Sequence, residues 1–213
     1  MAIILGDKKN YCVAGAHGKS TTTAILATIL QSSALIGAIS KEFGSNFRYV
    51  DKTVAVEADE SDASFLLSNP YCAIVTNAEP EHMEYYHYDY DKFYESYETF
   101  LSLAKKRVVN GEDKDIQKLK IEDATYLYPS KDIKNLCYTL KDGQPCTKFD
   151  LKDYGTFEVW GFGFHIASNA SLAILAALNE LDIETIRKNL LNYEGIKKRF
   201  DIVQSNEKFV VID

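Results

Sequence analysis

The chain has 213 residues, 46% of them hydrophobic, with 31 acidic against 24 basic side chains and a net charge of −7. That suits one domain of generous size, or one plus fragments, with a core that needs no disulfide staples. The acid excess argues against a general nucleic-acid binder, which needs a basic face, and no apolar run approaches the about 18 residues of a membrane span. No signal peptide is visible. The four cysteines, Cys12, Cys72, Cys137 and Cys146, form no C-x-x-C pair. Cys12 and Cys72 lie in apolar runs, so buried thiols in a reducing cytoplasm are expected.

Residues 1–8 read as a short lead-in. Then Tyr11-Cys12-Val13-Ala14-Gly15-Ala16-His17-Gly18-Lys19-Ser20-Thr21-Thr22-Thr23 runs from an apolar strand through a small-residue turn into a helix over 19–31. Glycines let a backbone approach an anion closely, and N–H groups at a helix N-terminus point at it. Lys19 supplies positive charge for outer phosphates, and the Ser20 hydroxyl is placed for Mg²⁺. The spacing is G-x-x-G-K-S, shorter than the standard phosphate loop, because Val13 stands where the first glycine of that motif belongs. An ordinary glycine turn at a helix start is the alternative; the strand before it and the Ser-Thr-Thr-Thr run after it favour the phosphate loop.

Ala34–Ile39 reads as a strand, 40–52 as a polar loop and Thr53–Glu57 as a buried strand ending in an acid. Tyr71–Asn77 is another buried strand, 89–105 an amphipathic helix and Lys106–Asn110 a short strand. Residues 111–155 are polar, with short apolar runs at 124–128 and 135–140. Phe157–Phe164 is strand-like, Ala167–Leu181 and 183–192 are helical, and Phe200–Val203 and Phe209–Ile212 are apolar. Apolar strands alternating with helices imply an α/β fold, P-loop NTPase-like, with a mostly parallel sheet and helices on both faces.

Ligands of such sheets sit at the C-terminal ends of the strands. Those ends carry Gly15–Ser20, Glu57–Asp62 and Asn77–His82, three polar clusters pointing to one convergent site. An acid directly after a strand is where a phosphate-loop enzyme holds Mg²⁺ or its water, which singles out Glu57; a solvated acidic turn is the alternative, above all for Asp59 and Glu60. In the third cluster Pro80 stiffens the turn, and Glu79 and His82 are placed to reach a metal or an anionic substrate, against a merely structural histidine. Tyr85, Tyr86, Tyr88, Tyr90, Tyr94 and Tyr97 read as a packed rim and helix face.

In order along the chain, A-G-A-H-G-K-S-T-T-T from residue 14, E-A-D-E-S-D-A-S-F-L from 57, T-N-A-E-P-E-H-M from 76, H-I-A-S-N-A from 165 and G-I-K-K-R-F-D from 195 resemble the Mur ligase family. The branch most similar is the one that joins L-alanine to UDP-N-acetylmuramate in peptidoglycan biosynthesis. The family has three domains, and the resemblance covers the central one. It implies a central ATP-binding domain over 9–200, with 1–8 a remnant of the linker from a missing N-terminal domain and 201–213 the start of a missing C-terminal domain. It also implies ATP and Mg²⁺ as cofactors, with UDP-N-acetylmuramate and L-alanine as partners of the complete enzyme. A carboxylate attacks the γ-phosphate, an acyl phosphate forms, and an amine displaces phosphate; such chemistry is mainly positioning and charge neutralisation.

Residue by residue, the resemblance implies that Lys19 holds the β- and γ-phosphates within the loop of Gly15, Ala16, His17, Gly18, Ser20 and Thr21. Ser20 and Glu57 ligate a first Mg²⁺, and His82 helps hold a second. Asn169 reads the adenine, and Arg199 reaches the phosphates from a hinge. Lys19, Glu57 and His82 are thus the expected catalytic residues. Ala16 replaces a usual Thr, Ser20 a common Thr, and Ile166 an Asn that usually follows the His. Sister ligases carry a carbamoylated Lys where Ser96 or Tyr97 stands here, which favours the alanine-adding branch. A murein tripeptide ligase, a folylpolyglutamate synthase-like enzyme and a stand-alone P-loop NTPase switch are the alternatives. The stretch alone is expected to lack ligase activity and to bind ATP weakly at most, because closing domains complete such sites.

Overall fold

The computed structural model describes residues 6, 8–50 and 52–198, together with the backbone of 202–205 and 210–212. Strand β1 (Lys9–Ala14) is buried from Asn10 onward. Tyr11 and Val13 enter one apolar layer, Cys12 and Ala14 the other. This period-two alternation with apolar residues on both sides marks a strand covered on both faces. Burial pushes the Cys12 thiol up to about 12, and both Cys12 and Cys72 are buried free thiols, as expected.

Two parallel strands flank β1: β4 (Thr53–Glu57) and β5 (Cys72–Val75). Outward on one side lie β2 (Ser33–Leu35) and then β3 (Phe47–Arg48); outward on the other lie β6 (Lys106–Asn110) and β7 (Thr125–Leu127). The seven-stranded order is β3-β2-β4-β1-β5-β6-β7, with β3 antiparallel to β2 and the other pairs parallel.

Helix α1 (Lys19–Leu30) leaves the loop after β1 and is buried along most of its length. On the opposite face, α2 (Tyr90–Leu103) opens with Asp89, whose carboxylate accepts the Lys92 N–H as an N-cap. Its Phe93, Tyr97 and Phe100 form an aromatic cluster with Phe65. Among the aromatic rim, Tyr86 and Tyr97 are buried while Tyr85, Tyr88 and Tyr90 are exposed.

The polar stretch 111–155 holds more order than its composition suggests. After the short helix α3 (Pro129–Asp132) come β8 (Ile133–Lys141) and β9 (Gln144–Leu151), a hairpin closed by Asp142 and Gly143 at φ 52 and 74. Two residues with positive φ between paired strands form the turn that matches strand twist. With β10 (Thr156–Trp160) they form a separate antiparallel sheet in the order β10-β9-β8. Helices α4 (Phe164–Ala177) and α5 (Ile183–Leu190) pack with it and with α1 in one layer. The backbone of β11 (Ile202–Ser205) and β12 (Val210–Ile212) forms an antiparallel pair.

Two expected strands are shorter than read. Ala34–Ile39 contributes only as far as Leu35: the Ile36 N–H still bonds the Asn46 carbonyl opposite it, but the Gly37 N–H goes to the Glu57 carboxylate. Phe157–Phe164 ends as a strand at Trp160, and Phe164 already begins α4. Among the described residues no helix is long and apolar enough to cross a membrane.

The C-terminal end of α1 shows how the layers are locked. The last carbonyls of a helix lack intrahelical donors. Here the Arg48 guanidinium donates to Ala27 O at 2.6 Å and to Ser32 O at 2.9 Å, and Asn189 Nδ2 on α5 donates to Ile29 O at 2.8 Å. Asn189→Ala leaves that buried carbonyl unpartnered and is expected to cost about 1–3 kcal/mol of stability. A urea titration should show a lower midpoint at an unchanged slope; an unchanged midpoint would refute the role.

Candidate functional site

The loops after β1, β4 and β5 emerge at one edge of the sheet, as the strand order requires. Gly15 and Gly18 make the first loop possible. Their φ angles are 131 and 85, in the region that favours glycine. A Cβ at Gly15 would stand 2.3 Å from Thr76 Oγ1 and 2.7 Å from the Asn77 carbonyl; one at Gly18 would stand 2.7 Å from Asn169 Oδ1. The loop after β1 is therefore seated directly on the end of β5.

Between the glycines, His17 is fastened from below. Its N–H donates to Asn77 Oδ1 at 3.1 Å, and its carbonyl accepts from Thr76 Oγ1 at 2.6 Å and from Asn77 Nδ2 at 2.8 Å. The exposed imidazole Nε2 lies 3.7 Å from Glu79 and 3.4 Å from Glu81. This third strand-end cluster thus clamps the first.

Lys19 opens α1 with its ammonium curled back over the loop, donating to Gly15 O at 2.6 Å and to Glu60 Oε1 at 2.9 Å. The Ser20 hydroxyl donates to Glu57 Oε1 at 3.0 Å, while Glu57 Oε2 accepts the Gly37 N–H at 2.7 Å. Glu57 is therefore aimed at the Ser20 hydroxyl by the chain beyond β2. Among the described residues no group of three or more His, Cys, Asp or Glu side chains stands together as a complete metal cage. A hydroxyl and one carboxylate at a phosphate loop nevertheless fit a hard cation that takes its remaining ligands from phosphate and water, as Mg²⁺ prefers.

The loop separates two cavities. On one side, a cavity of about 570 Å³ is lined by His17, Gly18, Thr21, Asn169 and Ile166, and by Trp160, His165 and Tyr193. Trp160 meets Tyr193 edge-on and carries Lys41 Nζ at 4.3 Å over its ring. On the other side, a cavity of about 390 Å³ is lined by Ala16, Lys19, Gly37, Glu57, Glu60, Glu81 and His82. His82 is exposed there and held at φ 53.

Gly15, Gly18, Lys19, Ser20, Thr21, Glu57, His82 and Asn169 all gather around the loop, with Asn169 on the side away from Glu57. Arg199 lies outside the described residues. Ser96 and Tyr97 are buried beneath the site: the Ser96 hydroxyl bonds the Phe93 carbonyl, and Tyr97 lies in the aromatic cluster. Sequence reasoning did not single out Glu60 as a partner of Lys19, nor Thr76 and Asn77 as the clamp on His17. Only the position of Thr76 and Asn77 at a strand end pointed to them.

Residues 13–177 match the Mur ligase middle domain. The chain belongs to the Mur ligase family. Among its relatives is a UDP-N-acetylmuramate–L-alanine ligase of Campylobacter curvus, 58% identical over 211 residues, covering 99% of this chain and 48% of that protein. The chain spans about half the length of the curated relatives it matches. Its fold is similar to the UDP-N-acetylmuramate-alanine ligase MurC of Thermotoga maritima, at a TM-score of 0.80 and 24% identity over 97% of this chain and 50% of that one. It is also similar to MurF ligase of Thermotoga maritima, solved in complex with ADP, at a TM-score of 0.71 and 17% identity over 100% of this chain and 54% of that one.

The seating of the loop on β5 is testable. Gly15→Ala is expected to lower stability by about 1–3 kcal/mol, since it adds both a steric overlap and backbone strain. Gly44→Ala, at φ 63 with nothing within 4 Å of the added carbon, carries only the backbone term and should lose less. Equal losses in thermal melts would place the constraint in the backbone alone.

Proposed function

We propose that this chain is the nucleotide-binding part of an ATP-dependent ligase that joins L-alanine to the carboxylate of UDP-N-acetylmuramate, with the acyl phosphate as the activated species. The observation that carries it is the pairing of Ser20 with Glu57 at 3.0 Å beside Lys19, with an aromatic-walled cavity across the loop. The relatives' name supports the substrate pair, and it favours the alanine-adding branch over the peptide-joining and polyglutamate-adding alternatives. The ADP held by a neighbour of the same fold supports the nucleotide.

In this reading the base and ribose occupy the cavity of about 570 Å³, where Asn169 and His165 offer hydrogen-bonding groups and Trp160 and Tyr193 offer apolar surface. The phosphates pass over the loop between Gly15 and Thr21, where backbone N–H groups at the start of α1 face them. Lys19 reaches the outer phosphates. Ser20 and Glu57 would hold Mg²⁺, which when bound neutralises charge on the phosphates. The substrate carboxylate oxygen forms a bond to the γ-phosphorus as the bond to the leaving ADP oxygen breaks. The amine then attacks the acyl carbon, loses a proton, and phosphate departs. Both steps fall on the side of the second cavity, where His82, Glu81 and Glu57 form the wall. We infer that surfaces for the sugar nucleotide and the amino acid lie in the half of the longer relatives that this chain does not span.

Calorimetric titration with a non-hydrolysable ATP analogue checks the reading. Lys19→Ala is expected to weaken binding roughly ten- to hundredfold, the loss of a charge-assisted contact of about 1.5–3 kcal/mol. Glu57→Gln is expected to abolish the tightening that added Mg²⁺ gives the unaltered protein. Equal affinity in all three proteins would refute the assignment.

A further inference from the structure

Glu60 belongs to the acidic turn after β4, yet it is only 3% exposed. Its carboxylate forms a fork over the phosphate loop. Oε1 accepts from Lys19 Nζ at 2.9 Å, and Oε2 accepts from the Gly15 N–H at 3.4 Å. An ammonium and a loop N–H are the two kinds of donor that a phosphate entering the loop would use, and two oxygens of one anion already hold both. Of the other acids lining the cavity of about 390 Å³, Glu57 is taken up by Ser20 and Gly37, Asp59 accepts the Ser61 N–H and Glu81 faces the His17 imidazole, while Glu60 holds the ion pair with Lys19.

We propose that Glu60 is an internal counter-ion of the phosphate loop: it holds Lys19 in the nucleotide-free protein, yields to the outer phosphates, and so sets the affinity for nucleotide. This rests on the reading that Lys19 binds phosphate. Glu60 acts through Lys19 and is a positioning residue.

Three further features fit this role. First, the backbone of Glu60 is pinned. Its carbonyl accepts from the Tyr86 hydroxyl at 2.6 Å and from the Ala63 N–H at 3.2 Å, and Ser96 Oγ on α2 lies beside the Tyr86 hydroxyl at 3.3 Å. The carboxylate can therefore withdraw only by turning its side chain. Second, the cavity of about 390 Å³ that Glu60 lines gives that side chain room to turn. Third, the charges demand an exchange. A lysine side chain only 16% exposed needs an anionic partner. Once phosphates arrive, a carboxylate on the same two donors is a like charge in the same place, and it must move away or weaken binding. A protein whose binding-competent state is only partly populated binds its ligand with an affinity reduced by that fraction. Removing the competitor should therefore tighten binding.

The test is calorimetric titration of ADP, without added metal, into the chain and its Glu60→Gln, Glu60→Asp and Lys19→Ala variants, with a thermal melt of each to establish folding. Glu60→Gln keeps the shape and loses the charge, and it is expected to bind ADP about tenfold more tightly than the unaltered chain, as expected when a like charge is removed from a binding site. Glu60→Asp keeps the charge but draws it back by one methylene, and it should fall between the two. A residue that merely held the turn together would give weaker binding in both. A folded Glu60→Gln that binds ADP no more tightly than the unaltered chain overturns the proposal. If that variant does not fold, an Asp variant with unchanged or weaker affinity overturns it instead. Lys19→Ala reports separately: equal affinity there, or no ADP binding by any of the proteins, overturns the underlying reading of Lys19.

Discussion

The parallel pairing of β1 on both of its edges is the constraint from which the site follows. With β4 on one side and β5 on the other, all three strands end at the same edge. Burial on both faces leaves no alternative register, since a slip of one residue would exchange Tyr11 and Val13 with Cys12 and Ala14 between two differently shaped layers. The segments 15–20, 57–62 and 76–82 are therefore brought together by strand order, before any polar contact among them forms. Parallel strands also need crossover connections, which is why segments so far apart in sequence can meet there.

The polar contacts then decide how rigid the meeting is. The loop after β1 has no side-chain cap at the N-terminus of α1; its stiffness comes from beneath, through Thr76 and Asn77 on the His17 backbone, an approach that the absence of a Cβ at Gly15 permits. An anion site made of backbone donors gains most when those donors are fixed in advance, because ordering them on binding would subtract from affinity. The cost is local: Gly15 and Gly18 adopt conformations that other residues avoid, and β5 must end in residues small and polar enough to hold the loop.

Much of this was legible in the sequence, for physical reasons that can be named. Apolar runs bounded by polar clusters identified β1, β4, β5 and β6, since strands buried on both faces read as continuous hydrophobic stretches. The gathering of Lys19, Ser20, Glu57 and His82 at one edge followed from that reading. Of the small sheet, only β10 was read as a strand, at Phe157–Phe164. Strand β8 is exposed along most of its length, so composition concealed it, although Asp142-Gly143 between Leu140 and Pro145 is a strong local signal for a two-residue hairpin. Glu60 was hidden for another reason. Four carboxylates within six residues look alike in sequence, and only the path of the turn buries the fourth residue, Glu60, against Lys19 while Asp59 and Asp62 stay in solvent.

The small sheet bears on the site through the wall of the larger cavity. Thr147 on β9 donates to the Gly161 carbonyl at 2.6 Å, and the Gly161 N–H donates to the Pro145 carbonyl, so the turn between β10 and α4 is set by β9. That turn positions Trp160, which is packed so closely against the 193–196 segment that a Cβ at Gly195 would meet its ring at 2.3 Å. The two sides of the loop are thus supported by different units. The end that carries Lys19, Ser20 and Glu57 is fixed by the large parallel sheet. The aromatic wall of the larger cavity is fixed by the antiparallel one, while Thr76, Asn77 and Asn110 on the opposite side of that cavity stand at strand ends of the large sheet. In the proposed reading, the aromatic wall against the base and the grip on the phosphates therefore answer to different hydrogen-bond ladders, and the loop of His17 and Gly18, seated on Thr76 and Asn77, joins the two.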